Sequence, residues 1–124
     1  MPITSKIMPS QDLTIFTAEG EISFSEASES ISNYNTSNNP RPTKNILWDL
    51  RNASLASLTP YQVTCLADLS AKYSELRYGG KTAIVAPHDI NFGIARVFEA
   101  ETMDVPREFI VFRDWDQALR WMDE

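Results

Sequence analysis

One cysteine and one histidine are all that the 124 residues offer to thiolate or imidazole chemistry. Cys65 alone closes no internal disulfide and makes no cysteine cluster for zinc, and His88 alone excludes hydrolysis by a metal centre built from several histidines. Basic residues are also scarce. The 11 Lys and Arg stand against 17 Asp and Glu, a formal charge of −6, and they are scattered rather than gathered into a stripe, which makes nucleic acid a poor partner. Long apolar runs are missing, including from the opening MPITSKIMPS. That excludes a signal segment and a membrane span and leads us to expect a cytoplasmic protein. In that compartment the sequons at Asn35 and Asn52 carry no meaning, and Pro2 stands where myristoylation needs glycine.

Catalytic signatures are equally thin. No Gly-x-Ser-x-Gly elbow presents a nucleophile. Gly79-Gly80-Lys81 lacks the glycine spacing of a phosphate loop and precedes a strand rather than a helix. A phosphoryl-accepting receiver needs an acidic pair on an early strand for Mg²⁺, and Glu19 and Glu21, flanking Gly20, have the wrong spacing. We expect no metal, no cofactor and no enzyme activity.

What is present is an ordinary globular composition, 43% hydrophobic, 10% aromatic and 23% charged, in a length that fits one domain over residues 1–124. Ile3 to Met8 and Leu13 to Thr17 flank the turn formers Pro9-Ser10-Gln11-Asp12 and read as a hairpin. Ser23 and Glu26 form a capping box for a first helix with Phe24, Ala27, Ile31 and Tyr34 on its apolar face. Asn33 to Asn45 reads as a loop leading into the strand Ile46 to Leu50. Thr59 caps a second helix, with Pro60 at its first position and Gln62 closing the box, running to about Tyr73 before Gly79-Gly80 ends the connection.

Thr82 to Ala86 is a strand stopped by Pro87. Asp89 caps a third helix through about Ala100, Phe109 to Phe112 is the last strand, and Asp114 opens a last helix that packs Ala118, Leu119 and Met122 inward. Strands alternating with helices require right-handed crossovers. The expected fold is therefore α/β, a five-stranded, mostly parallel sheet with one antiparallel strand from the N-terminal hairpin and four helices on its two faces.

The element order, the length and three stretches, ILWDLR at 46–51, AIVAP at 83–87 and FGIARVFE at 92–99, resemble a bacterial family of SpoIIAA-like proteins related to STAS domains. The likeness covers essentially the whole chain. It implies a fold shared in outline by anti-anti-sigma factors, transporter STAS tails and lipid-binding CRAL-TRIO domains, and no established enzyme activity. Anti-anti-sigma factors carry a phosphorylated serine at the start of the second helix. Leu58 falls at that place here, within Ser57-Leu58-Thr59-Pro60, so the switch does not carry over. A phosphate on Thr59 would suit a helix N-terminus, but capping accounts for that residue.

In such sheets ligands and partners approach the carboxyl ends of the strands, where Asp49, Arg51, Ser57, Thr59, His88 and Asp89 should gather. Asp49 and Arg51, two apart on a strand, point to one face. Arg96 on the third helix is expected to clamp Asp49, and Arg51 is the other available partner. His88 is the best general-base candidate and Asp49 its acidic companion, but a loop residue and a structural carboxylate explain both. On the third helix, Ile90, Ile94, Val97 and Phe98 read as the core stripe, leaving Phe92, Ala95, Arg96, Glu99 and Met103 outside. Phe92 with Ala95 and Arg96 then looks like a contact patch, and Gly93 would let a partner helix approach. Cys65 reads as a small core residue beside Leu66 and Leu69.

The binding candidates are therefore Asp49, Arg51, Thr59, His88, Phe92 and Arg96. The expected function is a non-enzymatic interaction or regulatory module that engages a protein partner or forms a homodimer through the third helix. The alternative is a carrier of a small apolar or lipid-like ligand, and a hydrolase using His88 and Asp49 stands third. These differ in what a structure should contain: a protein-sized patch, an enclosed apolar pocket of several hundred Å³, or His88 and Asp49 within hydrogen-bond reach of a nucleophile in a cleft.

Overall fold

The computed structural model describes residues 2–37, 42–74 and 80–124. Within them the chain runs β1 (Ile3–Met8), β2 (Leu13–Glu21), α1 (Phe24–Thr36), β3 (Asn45–Ser54), α2 (Pro60–Ser74), β4 (Lys81–Val85), α3 (Asp89–Glu101), β5 (Glu108–Phe112) and α4 (Trp115–Met122), with a 3-10 turn at Pro9–Gln11 inside the opening hairpin. The strands form one five-stranded sheet in the order β1-β2-β3-β4-β5, antiparallel between β1 and β2 and parallel elsewhere. This is the mixed α/β sheet with four helices that the sequence leads one to expect. Residues 38–41 of the expected Asn33–Asn45 loop and Gly79 lie outside the described residues.

Local signals set the helix starts. The Ser23 hydroxyl accepts from the Glu26 amide at 3.2 Å while the Glu26 carboxylate accepts from the Ser23 amide at 2.9 Å. Thr59 and Gln62 repeat the arrangement at 3.2 and 3.0 Å, so two otherwise orphaned amides are satisfied at each helix. α3 departs from expectation. Its cap residue is His88, not Asp89, and the Asp89 carboxylate instead accepts from Arg113 Nη1 at 2.8 Å.

Strand order decides which face each helix covers. The three parallel units step in one direction, β2 to β3 to β4 to β5, and a right-handed crossover at every step puts α1, α2 and α3 on the same face. The core obeys this. On that face Ala18, Leu50, Ile84, Ala86 and Val111 meet Ala95 of α3, while Leu58, Val63 and Leu66 pack with Phe24, Ile31 and Phe98. On the opposite face Leu13, Leu47, Ala83 and Val85 pack against Ala118 with Trp115, Leu119, Trp121 and Met122 of α4.

Helix α3 is rotated from the expected orientation. Ile90 is 64% exposed and Val97 49% exposed, whereas Ala95 is only 3% exposed and Phe92 packs against the core. The line that faces inward is Asn91, Ala95, Phe98 and Thr102, at i, i+4, i+7 and i+11, and two of its members are polar. Asn91 is buried because it serves backbone: Oδ1 accepts from the Leu55 amide at 2.9 Å and Nδ2 donates to the Ala53 carbonyl at 2.8 Å. Thr102 turns its hydroxyl onto its own helix, 3.1 Å from the Phe98 carbonyl. Of the expected core stripe, Ile94 and Phe98 do pack inward while Ile90 and Val97 do not, and a reading that ranks positions by hydrophobicity misses Asn91, Ala95 and Thr102. The expected contact patch of Phe92 and Ala95, and with it the basis for a homodimer through that face, is therefore withdrawn. Cys65 is half-buried on α2, at the margin of the core rather than inside it.

Candidate functional site

Asp49 and Arg51 leave β3 on the α4 face, in the row that pairs Thr17, Asp49, Val85 and Phe112 across the sheet. Their side chains form a two-point ion pair, Arg51 Nε to Asp49 Oδ1 and Nη2 to Oδ2, each at 3.0 Å. The Arg51 amide adds a third bond to Oδ1 at 3.1 Å. Burial works to raise the Asp49 pKa, but the bonds from the Arg51 side chain and amide, with the guanidinium charge, outweigh it and hold the carboxyl below its ordinary value. In return the carboxylate holds the Arg51 guanidinium above its own. The guanidinium lies 4.0 Å over the Trp115 ring, so α4 braces the pair.

The expected clamp from Arg96 to Asp49 is absent because α3 and Asp49 are on opposite faces of the sheet. Arg96 pairs with Glu99 one turn on, at 3.2 Å, and Glu99 in turn accepts from the Val111 amide of β5 at 2.8 Å. His88 joins the Asp49 edge through its backbone-facing ring: Nε2 lies 3.1 Å from the Arg51 carbonyl oxygen. Phe92 instead meets Arg113, whose guanidinium sits 4.1 Å over the Phe92 ring while donating to the Pro87 carbonyl at 3.0 Å. Thr59 does not join. It is an exposed helix cap, and the Ser57 hydroxyl nearby donates to the Ile22 carbonyl at 3.2 Å.

The structure thus holds two groups, Asp49 and Arg51 with His88 and Trp115, and Phe92 with Arg113 and Asp89; the sequence reading missed Arg113 and Trp115. Arg113 directly follows β5, so its place after a strand was the available signal, whereas Asp49 and Arg51 lie within β3, which runs to Ser54 beyond the expected end at Leu50. The edge holds no reaction-ready set. Asp49 is engaged by Arg51, and the His88 ring is committed to a carbonyl. Among the described residues no group of three or more His, Cys, Asp or Glu stands together to hold a metal ion, and no helix is long and apolar enough to cross a membrane.

A second feature lies between the sheet and the α1–α3 layer: an apolar pocket of about 120 Å³. Phe16, Trp48, Ile84, Ala95 and Phe98 line its middle, and Phe16 and Trp48 stack with ring centroids 4.4 Å apart to form its floor on the sheet. It exists because large aromatics on β2 and β3 stand beside small residues, Ala18, Ala27 and Ala95, so the two layers are held apart without being filled.

The fold has a solved counterpart. A crystal structure of an uncharacterized DUF3478-family protein from Shewanella loihica PV-4, described as having a SpoIIAA-like fold, matches 97% of this chain and 93% of its own with a TM-score of 0.57 at 21% identity. That likeness establishes a SpoIIAA-like fold for this chain. No family model matches the chain, and no curated protein matches it by sequence.

Proposed function

We propose that this protein is a cytoplasmic, non-enzymatic module of SpoIIAA-like type that binds a small apolar ligand in the pocket between its sheet and helices α1–α3. The pocket is the observation that carries this reading. The apolar side chains around a pocket of about 120 Å³ lack packing partners on that side, and an apolar guest of matching shape would supply them. A cavity of about 150 Å³ with a similar aliphatic and aromatic wall is known to take up benzene. The present pocket fits a ligand of that scale, not an intact lipid.

Two alternatives are weaker on specific grounds. Catalysis by His88 and Asp49 would need a nucleophile in reach, and both groups are tied into structural bonds. A homodimer through Phe92 and Ala95 would need those side chains outside, and they are packed inward. Interaction with a protein partner keeps one support: Arg51 and Arg113 are half-exposed, each fixed over an aromatic ring, and such arginine–aromatic pairs concentrate at interface centres. Ligand occupancy and partner binding would then be two ends of one regulatory module.

Native mass spectrometry of the protein purified from its own cells tests the proposal. We expect an added small-molecule mass that denaturation releases and that Ala95→Leu, which fills the pocket, diminishes. A bare chain mass in the wild type, together with no uptake of benzene in vitro, would overturn it.

A further inference from the structure

The two edges of the sheet are finished differently. At one of them the Glu19 amide donates to the Pro2 carbonyl at 2.8 Å, so by strand alternation Thr4, Lys6 and Met8 of β1 turn their backbone groups toward β2, and Ile3, Ser5 and Ile7 turn theirs away. Those outward amides and carbonyls meet no partner among the described residues. The strand is open on its flank as well. Thr4 to Ile7 are exposed, and toward α1 a shallow groove lined by Ile3, Ser5, Ile7, Phe16, Ser30 and Asn33 leaves room for further side chains. Such an edge is a template for a second extended segment.

The opposite edge is guarded. There the outward amide of Val111 on β5 donates to the Glu99 carboxylate at 2.8 Å, and Arg96 holds that carboxylate at 3.2 Å, so an added strand would have to displace a paired charge.

The open edge fits its own copy. Two β1 strands laid antiparallel about a twofold axis at Ser5 bring Ser5 against Ser5 of the partner subunit and Ile3 against Ile7 of the partner subunit, which pairs every outward backbone group and covers the exposed Ile7. Lys6, the only charge on β1, then falls opposite Thr4 of the partner subunit. Other registers are worse. Moving the axis to Lys6 sets like charges against each other and leaves Ile3 facing Pro9 of the partner subunit, which has no amide to give, while moving it to Thr4 carries Ile7 past the end of the partner strand.

We propose that the occupant of the β1 edge is a second copy of this chain, paired antiparallel about Ser5 into one continuous sheet, and that the guarded β5 edges stop assembly at two. A contact of one short strand belongs to the weak class of interfaces, below about 1,200 Å² in total, so the dimer should form in the micromolar to submillimolar range. Sedimentation equilibrium of the intact protein across that range tests it. We expect the mass to rise from one chain to two and no further. Ser5→Pro removes the central outward amide while leaving the bonds to β2 in place, and it should abolish association in a chain shown by circular dichroism to be folded. Two substitutions at an exposed position keep the test independent of that proline. Each contact occurs twice in the dimer, so Thr4→Lys, which opposes Lys6 of the partner subunit, should weaken association several-fold, and Thr4→Glu, which pairs with it, should strengthen it several-fold. A wild type that keeps the mass of one chain throughout, a folded Ser5→Pro variant that associates as well as wild type, or a shift in the same direction for Thr4→Lys and Thr4→Glu would overturn the proposal.

Discussion

Asp49 and Arg51 pair with each other across a single intervening residue of β3, through two 3.0 Å bonds, with Trp115 closing over the guanidinium at 4.0 Å. Asp49 is only 6% exposed, and the pair answers how a carboxylate comes to stand at the end of the apolar run Ile46-Leu47-Trp48: its charge is met before it can be stranded. Asp49→Ala should lower stability by about 1 to 3 kcal/mol, measured as a denaturant midpoint, because the guanidinium and the Arg51 amide both lose their acceptor. An unchanged midpoint would contradict the role assigned to the pair.

The same pair sets an acid dependence. The Asp49 pKa is depressed in the folded chain, so its contribution is fully present above the ordinary carboxylate value and fades as pH falls through the depressed one. The stability gap between wild type and Asp49→Asn should be constant near neutrality and narrow below about pH 4. A gap that widens in acid would show the sign to be wrong.

Asn91 ties α3 to the chain after β3 by bonds to Leu55 and Ala53. Asn91→Ala should cost about 2 to 4 kcal/mol, since it leaves a buried amide and a buried carbonyl unsatisfied. Hydrogen exchange should report the loss at the Leu55 amide first, and unaltered protection there would refute the role given to this side chain.

The rotated face of α3 makes opposite predictions for two neighbours on the helix. Phe92→Asp should destabilise by about 2 kcal/mol or more by placing a charge against the core, while Ile90→Asp should change stability by less than about 0.5 kcal/mol. Thermal melts of both variants decide it, and a tolerant Phe92 with a sensitive Ile90 would restore the orientation read from hydrophobicity.

Much of this fold was legible because its signals are local. The boxes at Ser23 and Thr59, the hairpin around Pro9 to Asp12 and the alternation of strands and helices each depend on residues a few positions apart, and the SpoIIAA-like resemblance pointed to the same sheet. What was illegible depends on sidedness and volume. Arg96 could not reach Asp49 because all three crossover helices share a face, a consequence of strand order. Asn91 and Thr102 hid the inward line of α3 because their burial is justified by hydrogen bonds rather than by hydrophobicity. The pocket is a mismatch between Phe16 and Trp48 and the alanines facing them across two layers, and no spacing along the chain records it.

The central claim is that this space receives an apolar guest, and anomalous diffraction from crystals pressurised with xenon tests it most directly, since xenon enters dry apolar cavities of this size. We predict a xenon peak between Leu50, Val63, Ile84 and Ala95 in the wild type and its loss in Ala95→Leu, with the surrounding backbone unchanged. A wild-type pocket that stays empty under xenon, or a peak that survives the Ala95→Leu substitution, would contradict the account.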